Sequence, residues 1–221
     1  MKSKLLKLLV YTFFICIIVF FVLSINPSTL TWVFVAKYLC LGIAGLILLF
    51  YIYLFIYCAI DNKKVERFSD NNDYENLIIY INKRLKQKLY LVPERKHFYN
   101  YYLLLSYLHL QDDEMIEKYF EKNIDLDVFP IILYWKSSYE LSKGNTSNVL
   151  QYYEDFKVSS IINKNINRYK NIINTFECMA LYVNQNYEQL KEQIKIVDET
   201  KITIPSTIKV LNMINESVTE K

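Results

Sequence analysis

The chain has 221 residues, 52% of them apolar and 16% aromatic, and a formal net charge of +3. The first sixty residues hold 4 of the 26 Lys and Arg and none of the 23 Asp and Glu. The rest of the chain is close to neutral, which excludes a basic nucleic-acid surface. With only three glycines in the chain, a Gly-rich phosphate loop is excluded too.

The first apolar run, Leu5–Leu23, follows Lys2, Lys4 and Lys7. The second, Trp32–Ile60, precedes Lys63, Lys64 and Arg67. Each is long enough for a transmembrane helix, which needs about 20 apolar residues. The connecting stretch Ser24–Thr31 carries no charge, Asn26-Pro27 marks a turn, and Ser28 or Thr29 can cap the second helix. Short-loop cations stay on the cytoplasmic side. The reading is a transmembrane helical hairpin over residues 1–60, with spans at about 5–23 and 38–58, crossing the plasma membrane twice with both termini cytoplasmic. A cleaved signal peptide is the alternative for the first run, because of its basic start and the Val22-Leu23-Ser24 site. The second span would still exit into the cytoplasm.

Trp32 and Lys37 fall at the outer end of the second span, where a lysine snorkels to the headgroups. Neither run holds an acidic partner that would make Lys37 an intramembrane relay. Tyr51, Tyr53 and Tyr57 form an aromatic belt at the inner end. Gly42 and Gly45 leave a thin spot against which the first helix can pack. Cys16, Cys40, Cys58 and Cys178 have no metal-site or C-x-x-C spacing and read as small apolar residues. Lipidation of Cys58 is the alternative there.

Residues 61–72 read as a polar linker and 73–221 as a cytoplasmic helical domain. In that domain a polar turn followed by apolar residues at helical spacing recurs, anchored at Tyr74, Asp113, Ser147 and Tyr187, intervals of 39, 34 and 40 residues. Such a period belongs to helix–turn–helix repeats. A further helix precedes each later copy: Arg95–Leu110, Pro130–Ser142 and Ile166–Val183. Breakers stand at Val92-Pro93, Lys143-Gly144-Asn145 and Pro205. Lys201–Ile204 is a weak strand signal, and Ser206–Val218 a closing helix.

Two pieces carry a resemblance. One is the turn Asp73-Tyr74-Glu75, matched by Asn186-Tyr187-Glu188. The other is Leu103–Phe120, LLLSYLHLQDDEMIEKYF, which has the form of a whole helix–turn–helix unit. Over about residues 73–197 the chain resembles the tetratricopeptide-repeat family. It departs from the family at Leu77, Ile116, Leu150 and Leu190, where a small residue is usual. The resemblance implies an all-α fold of antiparallel helix pairs, with the first helix of each pair lining a concave protein-binding face. By the turn alignment, Phe98, Tyr101, Trp135, Tyr139 and Tyr182 would line that face. An unrelated helical bundle, in which these rings are core, is the alternative.

No catalytic motif occurs. His97 and His109 lie twelve apart, about 120° round a helix, so they share no face. Asp112-Asp113-Glu114 suits the positive end of a helix dipole as well as it suits a cation. No enzyme activity, cofactor or metal is expected. The function expected is a membrane-anchored adaptor holding a protein or peptide partner at the cytoplasmic face. The alternatives are a regulatory or immunity-type protein acting through its hairpin, and a non-catalytic subunit of a membrane complex. Richness in Asn, Ile, Lys and Tyr suggests an AT-rich, bacterial genome.

Overall fold

The computed structural model describes residues 2–25, 31–87, 93–122, 126 and 128–219. The described residues are helical throughout their regular structure, with no strand, so the chain is all-α. It divides into two compact units, Met1–Lys96 and His97–Lys221.

In the first unit α1 (Lys2–Ile25) packs along α2 (Thr31–Asp70). The contact buries Cys16, Ala44 and Ile47, while Phe14, Leu46 and Phe55 stand exposed. Outward rings and aliphatics suit a hydrocarbon environment, and Gly42 and Gly45 are exposed with open space around them, so the α1–α2 contact does not form at the glycines. Among the described residues, Tyr38–Asp70 is the one helix long and apolar enough to cross a membrane, its most apolar 18-residue stretch having a mean hydropathy of 2.6. The turn at Asn26-Pro27, the caps Ser28 and Thr29, the breaker Val92, and the side chains of Trp32 and Lys37 lie outside the described residues.

The segment 61–72, read from the sequence as a polar linker, is helical as far as Asp70. α2 runs without a break to Asp70. DNKKVERFSD contains no Gly or Pro, and it buries Asp61 and Val65 while its other charges stay solvated. α3 (Tyr74–Lys86) then packs back on α2, and α4 (Pro93–Leu110) begins in this unit.

The second unit continues α4 and adds α5 (Asp113–Phe120), α6 (Ile131–Ser142), α7 (Val149–Val158), α8 (Ser160–Lys164), α9 (Ile166–Val183), α10 (Tyr187–Gln193) and α11 (Pro205–Thr219). α6 packs against α7 and α11, and α9 against α7 and α10. Phe176 of α9 is fully buried, with Tyr134, Tyr153 and Phe156 around it at 5.6, 5.2 and 5.3 Å. Such edge and tilted ring pairs add to the energy of burial. Between α10 and α11 the chain forms two short 3-10 turns, Ile194–Ile196 and Glu199–Lys201. The 201–204 segment that carried a weak strand signal is unpaired and extended only after Lys201.

One helix ending recurs. Asn72, Gln111, Gly144 and Gln185 all have positive φ, at 56, 57, 84 and 56°. After each, the next N–H reaches back five residues: Asp73 to the Phe68 carbonyl (2.9 Å), Asp112 to Tyr107 (3.2 Å), Asn145 to Glu140 (3.0 Å) and Asn186 to Leu181 (3.0 Å). This 6→1 bond over a left-handed residue is the Schellman motif, which satisfies helix-end carbonyls and turns the chain back. Five residues beyond each left-handed residue an apolar side chain is buried: Leu77, Ile116, Val149 and Leu190. In the third copy the sequence alignment places Leu150 at this site. The buried residue is instead Val149, and Leu150 is 36% exposed. The left-handed residue there is Gly144, and four residues, Asn145–Asn148, separate it from α7.

Candidate protein-binding site

The five rings expected on a groove occupy different environments. Trp135 and Tyr139, on α6, are 3% and 6% exposed and belong to the core. Helix α6 buries most of its residues, so its aromatics have neighbours on nearly every side. Phe98, Tyr101 and Tyr182 are half-buried. Tyr101 stacks on Trp135 at 5.0 Å and on Phe129 at 4.7 Å. Phe98 lies 4.9 Å from Tyr102, which meets Tyr101 edge-on at 5.1 Å. Three of the five, Phe98, Tyr101 and Trp135, are thus linked in one aromatic run. Burial pushes the Tyr101 hydroxyl well above its usual titration range.

Tyr139 faces elsewhere. Its hydroxyl donates to Asp113 at 3.1 Å and reaches Glu117 at 3.5 Å. Lys143 pairs with the same Asp113 carboxylate and holds it below the usual carboxylate range. The acidic start of α5 is therefore an ion-pairing and capping site, with Asp112 Oδ1 accepting from the Met115 N–H at 3.1 Å. Among the described residues no group of three His, Cys, Asp or Glu gathers as for a metal ion. Tyr182 is not among the residues lining the cavities beside Trp135 and Tyr139.

Sequence reasoning missed the concavity beside Trp135. It has a volume of about 190 Å³ and lies between Leu105 of α4, Ile131, Tyr134 and Trp135 of α6, and Asn171 and Ile172 of α9; Lys201–Ile204 and Thr207 close it. Asn171 positions the closing segment. Its amide donates to the Asp198 carbonyl at 3.0 Å, and its side-chain oxygen accepts the Asp198 N–H at 2.7 Å. The floor is aromatic and the rim carries exposed Lys201 and Thr203. Small-molecule sites run to about 300–1,000 Å³; this cavity has the size of one inserted side chain.

A second polar centre lies in the first unit. Asp61, 1% exposed, pairs with Arg84 at 3.0 Å and with Arg95, and it accepts from the Tyr80 hydroxyl. Arg84 also donates to Tyr57 at 2.6 Å and to Gln87 at 2.9 Å. A carboxylate this deep is tolerated only when paired and hydrogen-bonded. The sequence shows Asp61 as its first acidic residue, but Arg84 and Arg95 come 23 and 34 residues later and no local pattern joins them.

No protein-family model matches the chain, and comparison with curated proteins and with solved structures finds no match for it.

Proposed function

We propose that the protein is a membrane-anchored adaptor whose helices from α3 onward form a tetratricopeptide-like binding module. The observation that carries the reading is the fourfold recurrence of one helix ending, at intervals of 39, 33 and 41 residues, each followed by a buried apolar residue at the same offset. Recurrence at such a period is what stacked helix pairs require. The apolar helix in Tyr38–Asp70 supports a membrane tether. The basic flanks support a two-pass arrangement with cytoplasmic termini. A tether raises the effective concentration of the module toward any partner held at the same membrane.

With Trp135 and Tyr139 buried, the binding face of this reading moves to the exposed rim of the cavity beside Trp135. The half-buried Phe98 and Tyr101 lie along the aromatic run that ends at its floor, and a partner side chain would enter past Thr203. Anchors of this kind, seated in a pocket and ringed by near-neutral contacts, dominate interface energies. The test is crosslinking in intact membranes with mass spectrometry of the captured chains, comparing wild type with Thr203→Arg. The adaptor reading expects one partner linked to residues around the cavity and lost in the variant, whose melting temperature stays unchanged because Thr203 is exposed. Crosslinks confined to α1 and α2 would sink it in favour of a protein acting through its hairpin.

A further inference from the structure

Where α2 leaves its apolar stretch, its surface holds a concavity of about 580 Å³ lined by Ile60, Lys63, Lys64, Arg67, Phe68, Asn71 and Asp73. The α2 positions Ile60, Lys63, Lys64, Arg67 and Phe68 fall at i, i+3, i+4, i+7 and i+8, so they share one helical face. Three lining residues are cations and one is a carboxylate. The Asp73 carboxylate already accepts two bonds from the Asn76 amide, at 3.0 and 3.2 Å. Among the described residues, Lys63, Lys64 and Arg67 make no ion pair. Arg84 and Arg95 of the same unit are bound to Asp61. The Lys64 ammonium is held over the Tyr80 ring, 4.8 Å from its centroid. With Asp73 the one anion among the residues that line it, the concavity carries an excess of positive charge.

The concavity is also amphipathic. Ile60, 63% exposed, is the last residue of the apolar run. The cations follow within two turns, so the polarity changes along α2 where it changes from acyl chain to headgroup along a phospholipid. Juxtamembrane Lys and Arg attract anionic lipid at about 1 kcal/mol each, and a guanidinium with two ammonium groups suits a phosphate.

We infer that Lys63, Lys64 and Arg67 form a binding site for the phosphate headgroup of an anionic phospholipid, with Ile60 against its acyl–glycerol part. The inference rests on α2 crossing the membrane. A free phosphate would meet the same cations but would gain nothing from Ile60.

The test uses the full chain in lipid nanodiscs of phosphatidylcholine, with or without phosphatidylglycerol. Native mass spectrometry after release counts the lipids retained. Wild type is expected to keep phosphatidylglycerol in preference to phosphatidylcholine. The K63Q/K64Q/R67Q variant is expected to lose that preference, on the order of a hundredfold in apparent affinity for three charges. A control, K157Q/K164Q/K195Q, removes equal charge from exposed positions of the second unit and should keep it. Equal retention of the two lipids by wild type overturns the site, and so does unchanged preference in the K63Q/K64Q/R67Q variant. Displacement of phosphatidylglycerol by an equimolar amount of inorganic phosphate also overturns it, because the phosphate would then bind without its lipid. Carbonate washing of phosphatidylcholine membranes reads the anchor separately. Loss of the chain there overturns both readings, whereas a retained chain with no lipid preference overturns the site alone.

Discussion

Single residues divide sharply by burial. Removing one member of a buried ion pair leaves the others uncompensated and costs about 3–5 kcal/mol. Asp61→Ala strands the guanidinium groups of Arg84 and Arg95, so the full chain in detergent should lose stability on that scale in a denaturant titration. Lys195→Ala, at an exposed i,i+3 pair with Glu192, should change nothing measurable. Trp135→Ala empties a core position 3% exposed and should cost about 3–5 kcal/mol; a melt unchanged from wild type would return the ring to the surface. His109 gives a pH signature. Burial lowers its pKa below the ordinary 6.5, so the unfolded chain takes up a proton before the folded one does. The stability linked to this residue is complete above pH 6.5 and is lost as pH falls through the range below it. His109→Gln should flatten that part of the stability–pH curve, and a curve identical to wild type would refute the assignment. The sequence did not settle the burial of Asp61, Trp135 or His109. An aromatic or charged side chain on a helix looks the same there whether its neighbours are solvent or other helices.

At the scale of elements much more was legible. Helical spacing and polar turn residues located the starts of α3, α5 and α10 to within a residue or two. The ends were harder to read. Gln111 and Gln185 adopt a left-handed backbone that favours glycine, and nothing in a glutamine announces it. Their strain yields a prediction. Gln111→Gly and Gln185→Gly should each stabilise the chain by about 0.5–1 kcal/mol, the relief of left-handed strain exceeding the added chain entropy. Gly144→Ala should destabilise by a similar amount, although no atom lies within 4 Å of the added methyl, because its φ of 84° disfavours any Cβ. Thermal melts of the three variants decide it, and a stabilised Gly144→Ala would remove the left-handed conformation from the account. The stretch 61–70, read from its polarity as a linker, is helical, because a helix needs only one buried stripe and here has Asp61 and Val65.

At the scale of the whole chain, the charge asymmetry of the sequence remains the ground for orientation. With Cys16, Cys40, Cys58 and Cys178 replaced, a cysteine at Ser28 should react with an impermeant thiol reagent applied outside intact cells, and one at Glu75 should not. The opposite pattern would invert the proposed topology. The continuity of α2 adds a mechanical consequence. Its 40 residues form a single rod, about 60 Å long at 1.5 Å per residue, with no glycine or proline after Gly45 to act as a hinge. The ten residues beyond Ile60 project about 15 Å from the apolar stretch, and α3 is packed on them. A membrane span commonly tilts by about 20° and tilts more as the bilayer thins, which would sweep the turn at Asn71–Asp73 sideways by about 5 Å. Bilayer thickness would thereby become an input to the pose of α3, which lipid quenching of a fluorophore at Lys86 in nanodiscs of graded acyl length would read out.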